Sequence, residues 1–138
     1  MAYKIQKVNY CKMMVPSRAG QGNKILSALS SAKINMQAFS GFPAGGGKAQ
    51  VDIVSDKLPA VRSLAKKMGW RLSATKKAFL VQGSDEVGAV QKVVKRLADV
   101  NINIVAVDAV AAGKGRYGMI MWVKPKDYRR AARALNAK

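Results

Sequence analysis

Histidine is absent from this sequence, cysteine occurs once, and only 7 of the 138 residues are acidic. Without histidine, the usual general base near neutral pH, the commonest transition-metal ligand and the Ser-His-Asp and Cys-His arrangements are all missing. The single Cys11 can form neither an internal disulfide nor a cysteine metal cluster, and its place in an apolar strand reads as a buried thiol. The few carboxylates are scattered, with no pair spaced to share one face of a helix. These gaps argue against an enzyme and imply no metal and no cofactor. No charged-then-apolar leader opens the chain, and no uncharged apolar run approaches the roughly 18 residues of a membrane helix. The expectation is a cytoplasmic chain with no membrane partner.

Positive charge is what the sequence has in excess. Twenty-five Lys and Arg residues against the 7 acidic ones give a net charge of +18. Such a field attracts polyanions and is screened by salt. The charge is spread through the chain, without a basic tail, so a solvated, self-repelling surface and an anion-binding face stand as alternatives.

The most informative stretch runs from Ser84 to Ile104. Ser84 and Asp85 read as helix N-caps, and the acidic pair Asp85 and Glu86 suits the positive end of a helix dipole. Val87, Val90, Val93, Val94, Leu97 and Val100 recur at helical spacing, which predicts an amphipathic helix of about four turns. Asn101 is a stop signal, and Ile102, Ile104 and Val105 begin a β-branched strand. Gly88, placed in the first helical turn, lowers helix propensity and leaves the backbone bare where orphan N–H groups point outward, able to accept a carboxylate or phosphate.

Subtracting 68 from these positions retrieves a second copy: Gly88 becomes Gly20, Val93 becomes Ile25, Leu97 becomes Leu29, and Ile102-Asn103 becomes Ile34-Asn35. Two repeats follow, 2–69 and 70–137. In the first, two joined strands over residues 3–15 lead to a helix and a strand from Ile34 to Phe42. A glycine-rich turn over Pro43–Gly47 and a strand over Ala49–Ser55 come next. A second helix, capped by Asp56, stops at Gly69, and a strand over Trp70–Ala74 closes the unit. Lys76–Gln82 is the first strand of the second unit, which runs to a helix over Asp127–Leu135 and is one strand short. Residues 3–8 stand where that strand is missing. The expected class is therefore α+β, two ferredoxin-like βαββαβ units in tandem, with the N-terminal strand closing the sheet of the second unit.

Asp85-Glu86-Val87-Gly88-Ala89 before the helix and Asn101-Ile102-Asn103-Ile104 before the strand resemble the signatures of the ACT domain family. Ser17-Arg18-Ala19-Gly20-Gln21 and Lys33-Ile34-Asn35-Met36 are their counterparts in the first repeat. The resemblance spans essentially the whole chain as two tandem copies. It implies a non-catalytic regulatory module that binds an amino acid or related effector, between the first loop and helix start of one unit and the second strand of a neighbouring unit. Carried over by position, the implied ligand-binding residues are Asp85, Glu86, Val87, Gly88, Ala89, Asn103 and Ile104 in repeat two. Those in repeat one are Ser17, Arg18, Gly20, Gln21 and Asn35. Repeat one departs at Ser17, where repeat two has an acid. A homodimer or larger homo-oligomer and a regulated enzyme are the implied partners, and the net charge of +18 adds a polyanion as a candidate.

Two glycine patterns and one rival fold compete with this reading. Gly113-Lys114-Gly115-Arg116-Tyr117-Gly118 spells GxGxxG but lies between two strands, and Gly45-Gly46-Gly47-Lys48 lacks the hydroxyl residue of a phosphate loop, so both read as hairpin turns. An RNA-recognition fold shares the βαββαβ order. Tyr117 and Trp122 on one strand and Phe79 on another loosely match its stacking positions, which makes RNA binding by a basic sheet face the alternative.

Overall fold

The offset of 68 residues holds down to single backbone hydrogen bonds. In the computed structural model, which describes residues 3–138, strand β1 (Tyr3–Pro16) is followed by α1 (Gln21–Ser31), β2 (Ala38–Gly45), β3 (Lys48–Val54) and α2 (Leu58–Met68). Then come β4 (Lys76–Ser84), α3 (Ala89–Ala98), β5 (Ile104–Gly113), β6 (Arg116–Val123) and α4 (Tyr128–Leu135), the last entered through a short 3-10 turn, Pro125–Asp127. Cys11 pairs with Ile53 as Phe79 pairs with Met121, and Phe39 pairs with Ile53 as Val107 pairs with Met121. The Ile34 amide donates to the Leu29 carbonyl at 2.9 Å, and the Ile102 amide donates to Leu97 at 2.9 Å.

The chain packs as two units. The amino-terminal unit is Asn9–Lys76, and the carboxy-terminal unit is Lys77–Lys138 together with the start of the chain up to Val8. Strand order is β2-β3-β1 in the first and β1-β4-β6-β5 in the second, with β1 contributing its later half to one and its earlier half to the other. Each is a ferredoxin-like unit with an antiparallel sheet under two helices. The core of the amino-terminal unit includes Cys11, Met13, Ile25, Leu29, Ile53 and Val61. That of the carboxy-terminal unit includes Ile5, Phe79, Val93, Leu97, Met121 and Leu135. Burial of each large aliphatic side chain contributes about 1.5 to 3 kcal/mol, which is why the inward positions repeat while the outward ones drift.

The shared strand explains an irregularity in the sequence. Ile5, Val8, Cys11 and Met13 are buried, so the inward side moves from odd to even and back along one strand. Two joined strands were expected over residues 3–15. The backbone instead runs as one strand of 14 residues, with one change of side between Ile5 and Val8 and the other between Val8 and Cys11, across the division of the packing units at Val8 and Asn9. As expected, residues 3–8 close the sheet of the carboxy-terminal unit, and Lys138 donates its amide to the Ile5 carbonyl at 3.0 Å.

Trp70–Ala74 departs from expectation, for it forms no regular strand. The Ser73 amide donates to Lys12 O at 2.9 Å, while the Lys12 amide donates to Ser73 Oγ at 2.9 Å. A side chain thus replaces a carbonyl, and the ladder cannot propagate. Arg62 secures the same segment through the Ser73 carbonyl at 3.1 Å and the Thr75 hydroxyl at 2.9 Å. Strand β2 starts at Ala38 rather than Ile34, because Ile34 is turned into the core by the bond that closes α1, and it runs on through Pro43 to Gly45.

Candidate functional site

The loop between β4 and α3 differs from its expected form in a way that clarifies its chemistry. Helix α3 has 10 residues and begins at Ala89, with Gly88 as its N-cap at φ 83° and no side-chain cap bond. Asp85 is therefore not the helix cap. Its amide donates to the Gly115 carbonyl at 2.9 Å, tying the loop to the β5–β6 turn, while its side chain is exposed. Gly88 is explained by its left-handed backbone, which costs an L-residue about 1 to 2 kcal/mol. Val87 projects fully into solvent, 103% exposed, and so lies off the apolar helix face, as does the exposed Val100 beyond the helix end.

The first repeat builds the same loop. Gly20 caps α1 at φ 91°, the Ser17 amide donates to Gly47 O at 2.9 Å, and the Gln21 amide donates to Arg18 O at 3.4 Å, as Ala89 does to Glu86 at 3.0 Å. In both copies a tight turn delivers the chain to a helix N-terminus whose next amides, at residues 22 and 23 or 90 and 91, have no carbonyl one turn earlier within the helix. A Cβ at Gly20 or Gly88 would meet nothing within 4 Å. Each loop therefore offers open space over a partial positive charge. The difference is electrical: Asp85 and Glu86 flank one opening, Ser17 and Arg18 the other.

The other implied residues divide by role. Ala89 is buried and its amide is used by Glu86, so its side chain belongs to the core. Ile104 packs against that core from the first position of β5. Asn103 and Asn35 are exposed, and the Asn35 carbonyl accepts from Ser55 Oγ at 2.9 Å. Within a unit, loop and asparagine do not meet. Asp85 is held at the β5–β6 turn, whereas Asn103 precedes the first residue of β5, ten residues or about 30 Å of strand away. The same separation holds for Ser17, at the β2–β3 turn, and Asn35, at the far end of β3. The turn glycines Gly47 and Gly115, whose carbonyls hold the two loops, were legible in the sequence only as hairpin residues.

Three further observations bound the chemistry. Among the described residues no group of three or more His, Cys, Asp or Glu side chains is placed to hold a metal, and no helix is long and apolar enough to cross a membrane. A recess of about 310 Å3 in the carboxy-terminal unit is lined by Tyr3, Ile5, Arg96, Leu135 and Asn136, none of them an expected site residue. There Arg96 is engaged, with its guanidinium 5.2 Å from the Tyr3 ring centre and donating to the Leu135 carbonyl at 3.1 Å. The three aromatics matched to the stacking positions of an RNA-recognition sheet are not presented to solvent. Tyr117 and Trp122 are buried, and Phe79 is buried and stacked on Tyr128 at 4.4 Å.

The chain has the tandem ACT-like fold. It is similar over 97% of its length to protein BT0572 from Bacteroides thetaiotaomicron, covering 88% of that chain at 15% identity and a TM-score of 0.76. It is also similar to the regulatory subunits of aspartate kinase from Thermus thermophilus and Thermus flavus. For the first, the identity is 16% and the TM-score 0.61, with 98% of this chain and 93% of that one covered. For the second, they are 18% and 0.60, with 98% and 94% covered. No protein-family model and no curated protein matches the sequence.

Proposed function

We propose that this protein is a non-catalytic regulatory module that binds a small amino-acid-type effector through the Asp85–Ala89 loop. The observation that carries the reading is the pair of matched loops, each opening on a helix N-terminus, of which only one is acidic. An α-carboxylate is accepted by the first amides of α3, and the α-ammonium is met by Asp85, whose side chain is free of a capping role. The likeness in fold to regulatory subunits of aspartate kinase supports a regulatory role.

The site is completed by a neighbouring copy. Strand β5 ends the sheet order and is exposed almost throughout. Antiparallel pairing of two β5 strands sets the Asn103 end of one copy against the Gly113–Gly115 turn, and hence Asp85, of the other. Such pairing forms a closed twofold dimer and covers an otherwise hazardous edge. The amino-terminal loop, with Arg18 in place of an acid, is either empty or takes a more acidic ligand.

Calorimetry with the proteinogenic amino acids tests the assignment. Asp85→Asn removes a charge-assisted contact worth roughly 1.5 to 3 kcal/mol and should weaken effector binding at least tenfold. Unchanged affinity in that variant, together with clear loss in Ser17→Ala, would move the site to the first repeat. A strict monomer by light scattering, with and without effector, would remove the completed site.

A further inference from the structure

We propose that the outer face of the α3–α4 layer binds the phosphate backbone of a nucleic acid, independently of the effector loop. Two hydrogen bonds orient this layer. Arg96 on α3 donates to the carbonyl of Leu135 at the end of α4, and Arg130 near the start of α4 donates to the carbonyl of Val100 just beyond α3. The two helices thus run in opposite directions, side by side. Lys92 and Lys95 on α3 and Arg129, Arg130 and Arg133 on α4 are exposed, with Lys124 and Lys126 exposed on the approach to α4. The acidic residues here are Asp99, paired with Lys95 at 2.7 Å in a solvent-exposed contact, and Asp127, which lies 3.5 Å from Arg130. Most of the positive charge has no acidic neighbour in the layer.

The equivalent layer of the amino-terminal unit is also basic, at Lys24, Lys57, Arg62 and Lys66, but it carries less charge, so the fold does not require all of it. Inward positions are kept, Ile25 matching Val93 and Leu29 matching Leu97, whereas Lys95 and Arg96 stand where α1 has Ser27 and Ala28. In the later helices the closing bonds, Trp70 to Ala65 and Ala137 to Ala132, set an offset of 67, so Arg130 stands where α2 has Ser63. Like charges three or four residues apart, as in Lys92–Arg96 and Arg129–Arg133, each cost a few tenths of a kcal/mol. The surplus of the carboxy-terminal layer lies at Lys95, Arg96, Lys126 and Arg130, where the amino-terminal layer has Ser27, Ala28, Pro59 and Ser63.

Nucleic acid fits this face better than an acidic protein does. A protein interface needs a desolvated apolar or aromatic centre, and the exposed large hydrophobics of this unit lie in the Val87 loop, at Val100 and along β5 rather than among the basic rows. Interfaces with nucleic acid are polar, positively charged and wet. With Tyr117, Trp122, Phe79 and Tyr128 buried and the half-buried Tyr3 ring already covered by Arg96, base stacking has no free aromatic face here among the described residues, so the contact is to phosphate and is indifferent to sequence.

Fluorescence anisotropy with a labelled 20-base-pair DNA duplex, titrated at several salt concentrations, tests the proposal. Two variants lose equal charge: K92Q/K126Q/R129Q/R133Q in the carboxy-terminal layer, and K24Q/K57Q/K66Q/K67Q in the amino-terminal one. Circular dichroism checks that both stay folded. The first should bind at least tenfold more weakly, with a log–log salt slope shallower by about 3 to 4, as expected for the loss of four phosphate contacts. The second should change little. Equal losses in the two variants, no binding by the parent protein at low salt, or competition by polyglutamate as effective per charge as by unlabelled DNA would each overturn the proposal.

Discussion

The two units share the register of their paired strands and first helices, and differ in how each sheet is finished. In the carboxy-terminal unit the last place is filled by true strand, residues 3–8, with Ile5 and Val8 buried. In the amino-terminal unit the last place is filled by an irregular segment held through the Ser73 side chain and Arg62. One closing element comes from the far end of the chain and rests on apolar burial. The other is local in sequence and rests on a few polar contacts. The pair shows that a tandem repeat can keep its core while its edges are rebuilt.

The severest way to break the comparison is to delete residues 1–8. The carboxy-terminal unit should then lose Ile5 and Val8 and expose β4, with aggregation or loss of its unfolding transition in calorimetry; a soluble truncation with an unchanged midpoint would refute closure by this strand. Next in size are Gly20→Ala and Gly88→Ala. Both glycines have positive φ and open surroundings, so each substitution should cost about 1 to 2 kcal/mol in urea unfolding, through backbone strain alone. Equal costs would confirm that the loops are energetically matched, and a large difference would break the equivalence.

Smaller again is Ser73→Ala, which removes the acceptor for the Lys12 amide and should cost about 1 kcal/mol, whereas Thr75→Ala removes only an exposed contact and should cost less.

The smallest expected effect concerns a register position at which the repeats differ in polarity. Asp52 in β3, buried and accepting from Gln50 Nε2 at 3.0 Å, stands where β6 has the apolar Ile120. Burial raises its carboxyl above the ordinary value of 3.8, against the lowering influence of Gln50, Lys12 and Lys76. The folded state then holds the proton more tightly than the unfolded state. This stabilisation is fully present below 3.8 and is lost as pH rises through the folded value. Asp52→Asn should therefore flatten the dependence of midpoint on pH above 3.8. A slope identical to the parent's would show that Asp52 does not govern it.

The sequence by itself determined the repeat, the order of helices and strands, the inward residues such as Ile25 and Leu29 or Val93 and Leu97, and the need for residues 3–8 to complete the second sheet. Those features follow from periodicity and from counting strands, which are properties of a linear string. It also made Gly20 and Gly88 conspicuous, but it placed Gly88 inside the helix and made Asp85 its cap. A backbone dihedral is invisible in composition, and only the φ of 83° assigns the glycine to the cap and releases the carboxylate. Likewise Trp70–Ala74 carries strand-compatible residues, and only the bond from the Lys12 amide to the Ser73 hydroxyl, made across 61 residues, decides that no ladder forms. The separation of Asp85 from Asn103 within a unit was beyond local reading too. The length and direction of β5 place them at opposite ends, because an antiparallel hairpin carries its first residue and its turn as far apart as the strand is long.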